Sequence, residues 1–131
     1  MLLENDKILI QELTESFRRQ LECYKELKKI VRQLLSRLVL SRGDLSQLAG
    51  GLKEKQELLG TITGERTRIA GMIEQWQLRK SEVGQCEPVD TFQAVLQQVT
   101  DAIHDFLNDE TQLQKYLEGV VTRNSAPSPL S

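Results

Sequence analysis

Few side chains in this sequence are suited to chemistry. Asp101, His104, Asp105 and Asp109 recur at three- and four-residue spacings, which places them on adjacent turns of one helix face. Carboxylates and an imidazole in that pattern could begin a metal site or an acid–base pair. A metal would need further ligands from other helices, and the Glu-x-x-His pairs of di-iron bundles do not occur. A solvated acidic face is the simpler reading. His104 is the sole histidine, so Ser-His-Asp catalysis would have to use it as the base. There is no GxxxxGK phosphate loop and no GxGxxG turn after a strand. Cys23 and Cys86 lie far apart, match no CxxC or zinc spacing, and read as free thiols. The expectation is a non-enzyme with no catalytic residue, no cofactor and no metal.

The elements that carry these residues are helical. The chain has 131 residues, 5% aromatic, with 21 leucines and 13 glutamines. Such a composition buries aliphatic stripes along helices and suits neither a sandwich nor a barrel. A first apolar seam runs Ile10, Leu13, Phe17, Gln20, Tyr24, Leu27, Val31, Leu34 and Leu38, broken only by Gln20. It predicts a helix over residues 3–41. Ser41-Arg42-Gly43-Asp44 ends it, with Gly43 able to turn left-handed and Asp44 able to cap the next helix with Gln47. A second seam runs Leu45, Leu48, Leu52, Lys55, Leu59, Ile62, Arg66, Ile69, Ile73, Trp76, Lys80 and Val83, predicting a helix over 45–83. Lys55, Arg66 and Lys80 can lay their stems on it while their charges reach water.

Gly84 and Pro88 break the pattern again, and Asp90 with Gln93 repeats the cap signal before a third helix over 90–122. Its broad apolar face is Phe92, Leu96, Val99, Ile103, Phe106, Leu113, Leu117 and Val120. Residues 124–131 read as a disordered tail after a single domain of residues 1–123. Short connections make neighbouring helices antiparallel. The fold class is therefore all-α: an elongated up-down-up three-helix bundle, or a helical hairpin with a mobile third helix.

Charge is segregated. From Arg18 to Arg42 there are eight cations against Glu22 and Glu26, a local balance of +6 within a net charge of -2. From Glu87 to Glu118 seven acids face Lys115 alone, a balance of -6. In an up-down-up bundle the basic half of the first helix lies beside the acidic half of the third. The alternative is an acidic partner that meets the basic stretch when the third helix is displaced. The charge argues against nucleic acid, and only Tyr24 is interleaved with the basic cluster. Neither a secretory signal nor a membrane span is predicted, because Glu4 and Asp6 sit near the start and apolar runs are short.

Gly50, Gly51, Gly60, Gly64 and Gly71 all fall inside the second helix, each costing about 1 kcal/mol relative to alanine. Gly50, Gly64 and Gly71 share one heptad phase, opposite the seam. Three explanations stand: close approach of another helix, a helix kept soft for binding, or tolerated weak propensity.

A helix end with Leu34, Leu35 and Leu38, a Gly43-Asp44 turn, Leu45 and Leu48, then Glu54-Lys55, Leu58-Leu59, Ile62 and Arg66 resembles the FlgN-type flagellar export chaperones. The resemblance covers about residues 24–70, and the length and three-segment plan agree with it. It departs from the family in its glycine-bearing second helix. It implies a cytoplasmic chaperone that holds C-terminal amphipathic helices of hook–filament junction proteins and delivers them to the flagellar export apparatus. By position, it places the client contacts at Val99, Ile103, Phe106, Leu113, Leu117 and Val120. The partners expected are thus client helices, with no nucleic acid and no membrane insertion, and the chain a monomer or weak homo-oligomer. The competing expectation is a structural coiled-coil subunit of a larger scaffold.

Overall fold

The structure, a computed structural model, describes residues 1–125. It is an all-α three-helix bundle. Helix α1 spans Glu4–Leu40, a short 3-10 turn spans Leu45–Leu48, α2 spans Ala49–Val83 and α3 spans Glu87–Ser125. At about 1.5 Å per residue each helix is a rod of roughly 50–60 Å. The chain runs up, down and up, so α1 and α3 are parallel.

The junctions follow from local chemistry. Asp6 accepts the Leu3 backbone N–H at 2.9 Å, satisfying a donor at the start of α1. The end of α1 is a Schellman motif. The Gly43 N–H donates to the Leu38 carbonyl at 2.7 Å and the Arg42 N–H to Val39 at 3.2 Å. Arg42 takes the left-handed position at φ +58°, with Gly43 following at +87°. An alanine at Gly43 would bring its Cβ to 3.0 Å from Val120, so the turn is also tight against α3. Asp44 does cap, accepting the Ser46 N–H at 3.0 Å, but it opens a 3-10 turn before the α-helix begins.

The third helix departs from expectation at both ends. It begins at Glu87, not at residue 90, and the Asp90 N–H bonds the Cys86 carbonyl at 2.9 Å. Pro88 sits in the first turn, where its missing donor has no intrahelical partner to lose. Asp90 is therefore not a cap. Its carboxylate accepts from the Gln85 side chain instead. Asn124 and Ser125, expected in the tail, continue α3, and residues 126–131 of that expected tail lie outside the described residues.

Helix α1 is the shared partner. It packs on both α2 and α3, and no Cα of α2 comes within 8 Å of one of α3. The core falls into three clusters along the rod. At one end Ile10 and Leu13 meet Ile69, Trp76 and Val83 of α2 and Val89 and Phe92 of α3. In the middle Leu21, Tyr24 and Leu27 meet Ile62, Val95, Val99 and Phe106. At the loop end Ile30, Val31, Leu34 and Leu38 meet Leu113, with the half-buried Leu48 of the 3-10 turn and Leu58 of α2 beside them.

The second seam is therefore half used. Ile62, Ile69, Trp76 and Val83, one row at seven-residue spacing, are buried. The neighbouring row is not: Leu45, Leu52 and Leu59 stand 42%, 38% and 37% exposed. Between Ala49 and Thr61 no side chain of α2 is buried. By contrast α3 buries Val89, Phe92, Val95, Val99, Phe106, Leu113 and Val120. Of the two arrangements expected, the three-helix bundle is the one formed: α3 is docked along α1, and α2 is the helix with the smaller buried face.

Candidate helix-binding site

The polar groups with the most defined geometry tie α2 to α1. Ser16 and Gln20 sit on the apolar face of α1, one turn apart and both fully buried. The Ser16 hydroxyl donates to Glu65 of α2 at 2.6 Å, and the Gln20 amide donates to Ser16 at 3.3 Å. Arg19 reaches the same carboxylate from α1 at 3.0 Å, and Arg68 from α2 at 2.9 Å. Arg19, Ser16 and Arg68 together hold the Glu65 carboxyl down at about 2, against an ordinary 4.5. The Gln20 carbonyl oxygen has no hydrogen-bond partner. A buried acceptor left unpaired costs about 1–3 kcal/mol, so this layer specifies the docking of α2 without making it strong.

A second tie lies near the start of the chain. Arg79 of α2 grips Asp6 with two N–H groups at 2.9 and 2.8 Å. That guanidinium, with the Leu3 N–H, lowers the Asp6 carboxyl to about 2. Farther along, Arg66 donates to the Tyr24 hydroxyl at 3.2 Å and Lys55 pairs with Glu110 of α3. These two cations, expected to lie along the seam and reach water, are thus engaged with named partners. Lys80 is exposed.

The ties between α1 and α3 are different in kind. Lys28 meets Asp105 at 3.2 Å and Arg32 meets Asp109 at 2.9 Å. The basic block of α1 therefore does face the acidic block of α3, as the parallel arrangement requires. Asp101 accepts from Gln97 at 3.0 Å, and His104 is exposed. Among the described residues no group of three or more His, Cys, Asp or Glu is placed to hold a metal ion. Cys23 and Cys86 are free and half-buried, and burial pushes the Cys23 thiol up. Among the described residues no helix is long and apolar enough to cross a membrane.

The six client-contact residues implied by the resemblance all lie on α3. Val99, Phe106, Leu113 and Val120 are buried, and Ile103 and Leu117 are half-buried. Val99 and Phe106 pack with Leu21, Tyr24 and Leu27, and Leu113 with Val31 and Leu34. Ile103, Glu110 and Leu117 form a row at seven-residue spacing, and the Lys55–Glu110 pair puts that row on the side of α2.

Sequence reasoning missed Ser16, Glu65, Asp6 and Arg79. The signal for the first two was a polar pair, Ser16 and Gln20, one turn apart on an otherwise apolar face. The glycines are also resolved. Gly50, Gly60, Gly64 and Gly71 have nothing within 4 Å of an added Cβ, so close approach does not explain them. Gly51 alone is such a contact, its added Cβ falling 2.9 Å from Leu34 Cγ.

No known family model, curated protein or solved structure matches this chain.

Proposed function

We propose that this chain is a helix-binding chaperone of the flagellar export type, working in the cytoplasm on the C-terminal amphipathic helices of hook–filament junction proteins. The flagellar part of this reading comes from the resemblance over residues 24–70. The observation that carries the helix-binding part is the unequal cover on α1. One long apolar face is shared by two helices, and one of them fully buries a single row of its seam, with Leu58, Met72 and Ile73 half-buried beside it. A surface already shaped for a helix at seven-residue spacing, behind a helix with little buried area, is suited to exchange. The test is calorimetry and gel comigration of the purified chain with C-terminal helical segments of junction proteins. A stable complex is expected. No heat and no comigration would overturn the reading.

A second reading has its own observation. Leu45 of the 3-10 turn and Leu52 and Leu59 of α2 form an exposed row at seven-residue spacing. A structural coiled-coil subunit would bury that row against another chain. It then forms an obligate oligomer at micromolar concentration, and a 15.0 kDa monomer by light scattering removes it.

A further inference from the structure

We infer that α2 is the built-in occupant of a helix-binding groove on α1, and that a partner helix enters by displacing α2 rather than α3. This deepens the helix-binding reading above and rests on it. The groove is the face of α1 that carries Asp6, Leu13, Ser16, Arg19 and Gln20, with the Ile103 and Leu117 row of α3 as its far wall.

Three independent features of α2 point the same way. It buries four side chains along its whole length, none of them before Ile62. It is joined at both ends by short turns with positive φ, the closed Arg42-Gly43 turn and Gly84 at +72°, and Gly84 has open space around it in which that end of the helix can swing. Its outer surface carries Gly60, Gly64 and Gly71 in open space, so an undocked α2 is a poor helix on its own. The buried layer adds the fourth element. Ser16 and Arg19 present a hydroxyl and a guanidinium that need a carboxylate, and the Gln20 oxygen beside them is still unsatisfied.

The groove therefore states the chemistry of what fits it, because α2 is the template. Ile62, Glu65, Ile69, Trp76 and Arg79 are the residues that α1 reads. The partner is an amphipathic peptide helix with an apolar residue, a carboxylate three positions later, and apolar residues at positions seven and fourteen. A cation at position seventeen would meet Asp6. A partner helix with better intrinsic propensity than α2 takes its place on α1. The population in which α2 has already left sets the apparent affinity.

The probe is a synthetic peptide of residues 58–80 carrying G60A, G64A and G71A, titrated into the full chain by calorimetry. Each exchange favours helix by about fivefold, which offsets the advantage that tethering gives the resident α2. The expected results are binding to the unaltered chain, and binding at least tenfold weaker to a full chain carrying the same three alanines, because its own α2 now holds better. A probe that also carries Glu65→Ala binds at least fivefold more weakly. An Ile69→Ala chain, with α2 loosened, binds the probe at least fivefold tighter. That last gain is one a merely destabilised protein does not show. Should Ile69→Ala fail to fold, the three-alanine chain still decides, since its added methyls meet open space. Absence of probe binding, or equal affinity for the unaltered and three-alanine chains, overturns the inference. A chain that binds junction-protein helices with an affinity the three alanines leave unchanged keeps the chaperone reading and loses this one. A chain that binds the probe as described and ignores junction-protein helices does the reverse.

Discussion

Helices α2 and α3 pack against the same face-rich helix, and they differ in how much of their apolar pattern the packing uses. In α3 the row Phe92, Val99, Phe106, Leu113 and Val120 is buried, and Val89 and Val95 join it. In α2 one row is buried and the adjacent leucines are left out. At roughly 1.5–3 kcal/mol for each fully buried side chain, three more buried residues favour α3 by several kcal/mol. What α2 has in place of area is directed polar bonding, through Glu65 and Arg79. Area is non-directional and strong, whereas buried polar bonds fix register at little net gain. One helix is therefore held by amount and the other by address.

The largest test of that contrast is a pair of truncations. Phe106→Ala should cost about 3–5 kcal/mol in denaturant unfolding and weaken the whole bundle. Ile69→Ala should instead lose amide protection over Ala49–Val83 while α1 and α3 keep theirs, read by hydrogen exchange. Equal loss along all three helices would erase the distinction. Next in size are the glycines. Gly51→Ala meets Leu34 and should destabilise by about 1–3 kcal/mol. Gly60→Ala and Gly64→Ala meet open space and should each stabilise by about 0.5–1 kcal/mol, seen as a higher Tm.

Acid should separate the helices as well. Both carboxylates that anchor α2, Asp6 and Glu65, are held at about 2, below their ordinary 3.8 and 4.5. A carboxyl depressed in the folded state stabilises fully above its unfolded value, and that contribution fades as pH falls toward the folded one. Protection of α2 amides should thus decline between about pH 4.5 and pH 2, and Glu65→Gln should flatten that decline. The smallest effect is expected at the α1–α3 charge pairs. A double-mutant cycle on Lys28 and Asp105 should give less than about 1 kcal/mol, reduced further by salt, because Asp105 is largely exposed.

Much of this was legible in the chain. The α1 seam from Ile10 to Leu38 is buried as its spacing predicts, with Phe17 half-buried, and Gln20 is inside despite its polarity. The α3 face from Phe92 to Val120 is buried or half-buried in the same way, while Val89 and Val95, also buried, fall outside the face that spacing marked. Periodicity reports which positions share a face, and it reported that correctly for both. The candidate site was less visible. Gln20 marked the place, but its neighbour Ser16 gains meaning only when Glu65 arrives from forty-nine positions away.

Three helices, their order and the opposed charge blocks on α1 and α3 can be read from the chain alone. These depend on local spacing, which every residue carries with it. The tertiary structure alone decided that α1 is central, that α3 is the firm partner, and that the leucines of α2 are partly left in water. A heptad seam says that a face is apolar. It does not say how many helices compete to cover it, because burial is set by where three rods settle against one another.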